Sequence, residues 1–368
     1  MSMAQQPVAA RDTSPSANSK FQLVDCDMHA GIDSVEDLMD YLPDSWQHYI
    51  RESGFRIPAV AGAGYPKMKP NAARNDSHPP SGRVPGSDYD FLCKQHLDHW
   101  QIDRAIATPI YPADAAPNPD FSAALCSAHN DYMIENWYDK DERIYGSILV
   151  PYRSPDLAIR EIERVGSHPK VVQVFLLAYN GVLYGQRQFH PIWQTAAKHG
   201  LALALHFGGP IPAQAGGPPS YYIEYHTNVS QAFMAHTVSL VCEGVFSSCP
   251  ELRVVLVEGG VSWLPPLLWR LDKNWRGCRM EIPWVKRPPS EYVREHFKLT
   301  TQPIEEPDDP RHLAQIFDML GNDAMLMFAT DYPHWDFDAP TKALPSTLPP
   351  ELRQRIYSQN ATEFYGLR

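Results

Sequence analysis

Four acidic and two imidazole side chains stand out by where they fall: Asp25, Asp27 and His29 in FQLVDCDMH, His206 in LALALHFGG, Glu258 in RVVLVEGG and Asp331 in AMLMFATDYP. Each lies at or near the end of a short apolar run. Side chains alternate along a strand, so Asp25, Asp27 and His29 are expected to face the same way. Asp27, His29, His206 and Asp331 together offer two imidazole nitrogens and two carboxylates, a mixed N/O set that suits Zn²⁺, Mn²⁺ or Fe²⁺. Two carboxylates neutralise a divalent ion and ease its burial. Such an ion lowers the pKa of bound water toward about 7, which brings hydrolysis within reach at neutral pH. A carboxylate beside the ion can serve as the base for that water. Glu258 is expected as a second acid or base, or as a group that orients substrate. The alternative for Glu258 is a buried ion pair with an arginine such as Arg270.

Further polar and aromatic groups cluster near the same run ends. His226, in YYIEYH, and His334, beside Asp331, are candidate substrate contacts or outer hydrogen-bond partners of a ligand carboxylate. Tyr111, Tyr222 and Trp335, with Tyr221, are candidates for the walls of a flat aromatic pocket, with ordinary loop packing as the alternative. Trp263, Trp269 and Trp275 recur at helical spacing and read as core or subunit interface.

The elements that must position these groups are eight apolar runs: 21–29, 104–112, 143–151, 171–178, 201–209, 253–260, 297–303 and 324–333. Their near-continuous hydrophobicity suits strands of a parallel sheet, buried on both faces. Helix-like stretches separate them, at 90–101, 121–139, 154–166, 190–200, 228–250, 262–277 and 309–321, and a last one at 349–367 closes the chain. Eight β–α units predict an α/β fold, a TIM-like (β/α)8 barrel, whose chemistry sits at the C-terminal ends of the strands. A doubly wound sheet is the alternative, but the glycine-rich phosphate turn expected after an early strand is missing. Long irregular segments follow the first, second and fifth runs. The first of them, 52–87, is predicted to act as a lid over the barrel mouth.

The chain has 368 residues, 43% of them hydrophobic and 20% charged, enough to build a large core. Its 32 basic against 43 acidic residues give a net charge of −11, which argues against a nucleic-acid groove or an anionic membrane surface as partner. Residues 1–20 lack the apolar stretch of a signal peptide and are expected to form a disordered arm, ahead of one barrel domain at 21–368. No apolar run reaches membrane-spanning length without Pro, Gly or Asn, so a soluble cytoplasmic protein is expected. The six cysteines form no CxxC pair and read as free thiols.

The combination VDCDMH, LALHFGG, GVFSSCPELRVVLVEGGVSWLPPLLWRLD, FATDYPH and NATEFYGL resembles the amidohydrolase-related proteins. More narrowly, it resembles the branch containing aminocarboxymuconate-semialdehyde decarboxylase and the resorcylate-type decarboxylases. The resemblance implies a distorted barrel holding one divalent ion, zinc foremost with manganese or iron as alternatives, a small-molecule substrate and a homodimer. The family's first-strand Asp-x-His-x-His falls on residues 25–29, with Asp27 in place of the first ligand histidine. His206 matches the strand-five ligand and Asp331 the strand-eight aspartate, which the resemblance implies is the base for metal-bound water, while Glu258 replaces a strand-six histidine that assists catalysis. Two reactions follow. The leading expectation is a metal-dependent hydrolase, because a carboxylate with an ordinary pKa near 4.3 accepts protons at pH 7 rather than donating them. The alternative is a non-oxidative decarboxylase of an aromatic or enoic acid, for which burial would have to raise that pKa by about two units or more. Retention of all four ligand positions speaks against a non-catalytic binding barrel.

Overall fold

A computed structural model describes residues 22–56, 72–109, 111, 113, 116–209, 217 and 219–368. The expected arm at 1–20 and the stretch 57–71 of the expected lid lie outside the described residues. All eight predicted strands form, each shorter than its apolar run: β1 (Val24–Met28), β2 (Arg104–Ala107), β3 (Ile144–Ile148), β4 (Val171–Leu177), β5 (Ala202–His206), β6 (Val254–Val257), β7 (Phe297–Thr300) and β8 (Leu326–Met327). They are parallel neighbours in sequence order. The ring closes where β1 meets the chain running through and past β8. Cys26 N–H donates to the Phe328 carbonyl at 2.9 Å, Asp331 N–H to that of Asp27 at 3.0 Å, and His29 N–H to that of Tyr332 at 2.7 Å. The fold is the predicted (β/α)8 barrel.

Its strands are apolar throughout because both faces are buried. Leu203, Leu205, Val254 and Leu256 face outward and pack with Ile162, Ile192, Trp193 and Leu240 of the surrounding helices. Val24, Cys26, Ile106, Val172, Ala202, Ala204, Val255, Val257 and Met327 belong to a second cluster that fills the interior. Tyr365, from the C-terminal helix, is also buried in that cluster and donates its hydroxyl to Gln173 Oε1 on β4 at 2.8 Å.

The helices follow their sequence signals with informative exceptions. Pro155–Val165 opens on proline, where a missing N–H costs nothing, and buries Ala158, Ile162 and Val165 on one face. The stretch predicted at 228–250 splits into Ser230–Cys242 and Val245–Ser248, because Gly244 takes φ +77° between them. The helices Asp44–Ser53 and Pro289–His296 form in segments whose sequence did not announce them. Of the three tryptophans at helical spacing, Trp263 is buried and bonded to the Gly259 and Gly260 carbonyls, while Trp269 is exposed. Among the described residues, no helix is long and apolar enough to cross a membrane.

Candidate metal centre

Strand β1 delivers its residues differently from simple alternation. Val24 and Cys26 face the interior, so Asp25 points outward, where its carboxylate meets His96 and Thr330. The expectation that Asp25 shares a face with Asp27 and His29 therefore fails. Pairing with β2 slips register between Asp25 and Met28, and the irregularity turns Asp27 inward. Asp27 Oδ2 lies 3.4 Å from His206 Nε2, and the Thr108 hydroxyl donates to Asp27 Oδ1.

The two histidines are oriented alike. His29 Nδ1 is 2.7 Å from the Thr108 carbonyl, and His206 Nδ1 is 2.6 Å from the Phe207 carbonyl. A carbonyl only accepts, so Nδ1 carries a proton and Nε2 is the ring atom left to face a metal ion. His29 Nε2 sits 2.8 Å from Asp331 Oδ1 and 3.6 Å from Asp27 Oδ1. His206 Nε2 sits 3.2 Å from Glu258 Oε2.

Two strained residues complete the cluster. Val257 faces inward, so an extended continuation of β6 would point Glu258 out of the barrel. Glu258 instead takes φ +63°, which swings its carboxyl back toward His206, while its N–H donates to Thr300 Oγ1 at 3.0 Å. Asp331 likewise takes φ +59°. A left-handed conformation costs a non-glycine residue about 1–3 kcal/mol, and such strain concentrates at functional sites. His334 Nδ1 lies 2.6 Å from Asp331 Oδ1, and its ring is 4.3 Å from that of His29.

The donor set fits a divalent cation. Asp27 Oδ2, His206 Nε2, Glu258 Oε2 and Asp331 Oδ2 are buried and make no hydrogen bond among the described residues. Ligand atoms gather in two overlapping groups, Asp27–His29–His206–Glu258 and His29–Glu258–Asp331–His334, each within 4.8 Å. Burial, then the charges of Asp331, Asp336 and Asp27, pushes the Glu258 carboxyl well above the usual carboxylate range. Burial foremost also raises Asp331, with Asp336 and Asp27 adding to it against the opposing influence of His29. Lone pairs and carboxylates crowded in this way repel one another unless a cation lies among them. The expected ligands Asp27, His29, His206 and Asp331 all fall in these groups, and Glu258 lies against them. The Arg270 alternative falls, because that arginine is exposed on the helix Leu264–Cys278.

Toward the mouth, His226 Nε2 lies 3.2 Å from Asp336 Oδ2, and Gln302 Nε2 donates to the same oxygen at 3.0 Å. His226, Glu258 and Asp336 form a third group of close ligand atoms. Tyr222 stacks beside His226 with ring centres 5.7 Å apart, and Trp335 Nε1 donates to the Tyr222 hydroxyl at 3.2 Å. Tyr111 is committed elsewhere, buried and stacked on His129 of the helix Pro119–Met133. Asp336 and Thr108 escaped the sequence reading. Asp336, five residues past Asp331, carried a signal in its proximity; Thr108 carried none. The returning end of the expected lid meets the site directly. Ala73 bridges to His334, Arg74 N–H donates to the Pro333 carbonyl at 2.9 Å, and Trp335 N–H donates to that of Ala72 at 2.8 Å.

A (β/α)8 barrel with imidazole and carboxylate side chains clustered and buried at the C-terminal mouth of its strands is the architecture of a class of metal-dependent enzymes. The chain matches the Amidohydrolase family over residues 24–367 and belongs to it. It is 26% identical to a gamma-resorcylate decarboxylase of Polaromonas sp. (strain JS666 / ATCC BAA-500), in a match covering 57% of this chain and 66% of that protein. It is 25% identical to a gamma-resorcylate decarboxylase of Rhodococcus jostii (strain RHA1), over 70% of this chain and 84% of that one. The crystal structure of a dihydroxybenzoic acid decarboxylase from Polaromonas sp. JS666, with bound manganese and the inhibitor 2-nitroresorcinol, superposes with a TM-score of 0.66. That likeness covers 94% of this chain and 97% of the other at 20% identity, and shows the shared fold.

Proposed function

We propose that the protein is a metal-dependent, non-oxidative decarboxylase of a small aromatic acid, with Asp27, His29, His206 and Asp331 holding one divalent ion. The curated relatives favour this alternative over the hydrolase that carboxylate chemistry alone had favoured. Two carboxylates and two imidazoles admit Mn²⁺ as well as Zn²⁺, and manganese is the ion in the related dihydroxybenzoic acid decarboxylase. When bound, the ion supplies positive charge that polarises oxygen atoms of the substrate.

The residues divide the remaining work. Tyr222, His226 and Trp335 form an aromatic wall against which a planar ring packs. Glu258 faces the ligands from β6, and we assign it to hold a proton at Oε2 and deliver it to the ring carbon that carries the carboxylate. The bond from that carbon to the carboxylate then breaks, its electron pair restores the aromatic ring, and CO2 leaves. Glu258 is left as a carboxylate that must regain a proton before the next turn. The His226–Asp336 pair, grouped with Glu258 and less buried than it, is the pair we assign to return that proton.

The observation that carries the reading is the buried cluster of ligand atoms without hydrogen bonds, in a chain whose curated relatives are decarboxylases. The test is incubation with gamma-resorcylate and other hydroxybenzoates in ¹⁸O-labelled water, with headspace CO2 measured. Stoichiometric CO2 with no label in the aromatic product is expected. Label incorporation without CO2 would establish hydrolysis and overturn the reading.

A further inference from the structure

Behind the ligands lies a second buried network that the proposed chemistry does not use. Asp25 is fully buried on the outer face of β1, and its two oxygens accept four hydrogen bonds. Oδ1 accepts Asp27 N–H at 3.2 Å and Thr330 N–H at 2.9 Å; Oδ2 accepts the Thr330 hydroxyl at 2.6 Å and His96 Nε2 at 2.8 Å. Three of those donors belong to residues that are, or adjoin, the ligands Asp27 and Asp331. The fourth comes from His96, on the π-helical segment Cys93–Asp98 that precedes β2.

The location explains the demand. β8 has only two ladder residues, so where the barrel closes the chain past it is held by a few isolated bonds. Across that seam sit Asp27 and His29 on one side and Asp331, strained at φ +59°, on the other. Asp25 ties the two sides together. His96 is itself fixed, its ring stacked on Tyr332 at 4.5 Å with 13° between the planes. Its Nδ1 is buried without a hydrogen bond among the described residues. An unsatisfied buried nitrogen destabilises the fold, so packing alone would be better served by an apolar ring. What an apolar ring lacks is the N–H aimed at Asp25.

We infer that Asp25 and His96 are positioning residues that set the Asp27–Asp331 spacing across the barrel seam and thereby the affinity for the metal. The inference rests on the metal-binding part of the reading above and is independent of the reaction. The test is calorimetric titration of the chelator-stripped full-length protein with MnCl2, with the Mn²⁺ EPR spectrum recorded alongside. His96→Phe keeps the stack on Tyr332 and removes the donor. Binding about 10–100-fold weaker, with an altered spectrum, is expected. His96→Gln, which restores an N–H donor, should recover most of that loss; a merely structural role predicts neither the spectral change nor the rescue. Parental affinity and spectrum in folded His96→Phe would overturn the inference. Should that variant fail to fold, Thr330→Val decides, since at nearly constant shape it removes the hydroxyl that donates to Asp25 and accepts the Tyr332 N–H across the same seam. Binding about 10-fold weaker supports the inference, and parental binding refutes it. A parent that binds Mn²⁺ but releases no CO2 from any aromatic acid would sink the decarboxylase reading alone.

Discussion

At the scale of single residues, the site is built by spending each histidine's donor on the backbone. With Nδ1 bonded to a carbonyl, His29 and His206 can turn only Nε2 toward the carboxylates. His206→Ala should therefore lower metal content well below that of the parent, read as ions per chain in the purified protein; unchanged stoichiometry would remove His206 from the ligand set. Glu258 separates two roles. Glu258→Gln should cut turnover at least about 100-fold, the scale of a lost proton donor, while metal content stays nearly intact. Loss of the metal instead would make Glu258 a ligand. The types of these residues were legible in the sequence, but their directions were only partly so. Alternation put Asp25 inward and gave no warning that Asp27 turns in at a register slip. Nothing in VLVEGG or FATDYP marks Glu258 and Asp331 as left-handed, because positive φ is announced by glycine and neither residue is one.

At the scale of elements, the eight strands were legible because burial on both faces leaves no polar alternation to confuse them. Helix Pro289–His296 was not, since its prolines at 288 and 289 read as a loop although proline is at home in a first turn. The predicted lid is anchored at its described end. Residues 72–74 run beside 333–335, and Gly86 accepts the Gly31 N–H at 3.1 Å while it packs against the His29 backbone. Gly86 takes φ +85°, and a Cβ there would run into the His29 carbonyl oxygen. Gly86→Ala combines a disfavoured backbone with that clash and should cost about 1–3 kcal/mol, seen as a lower denaturation midpoint. Because His29 bears the strain, Mn²⁺ affinity should fall in the same variant. Normal stability and affinity together would show that this contact does not matter to the site.

At the scale of the whole molecule, the burial of two helix histidines ties stability to pH. Burial holds His129, stacked on Tyr111, down to about 3, and holds His236, stacked on Tyr184, down to about 4, both against an ordinary value of 6.5. Above pH 6.5 both rings are neutral whether the chain is folded or not, and neither affects stability. As pH falls below 6.5 the unfolded chain takes up protons that the folded chain refuses, so the unfolded state gains and stability declines until the folded values are reached. For His129 alone the loss between pH 7.5 and pH 4.5 is about 2–3 kcal/mol, at 1.36 kcal/mol per unit. His129→Phe keeps an aromatic ring against Tyr111 and cannot titrate. Urea denaturation of parent and variant at both pH values should therefore show the stability difference shifting in the variant's favour by about that amount in acid. The variant should remain acid-sensitive, because His236 still titrates on unfolding. A difference that does not change with pH would mean that His129 takes up its proton equally in both states, and that its surroundings are wetter than its packing implies.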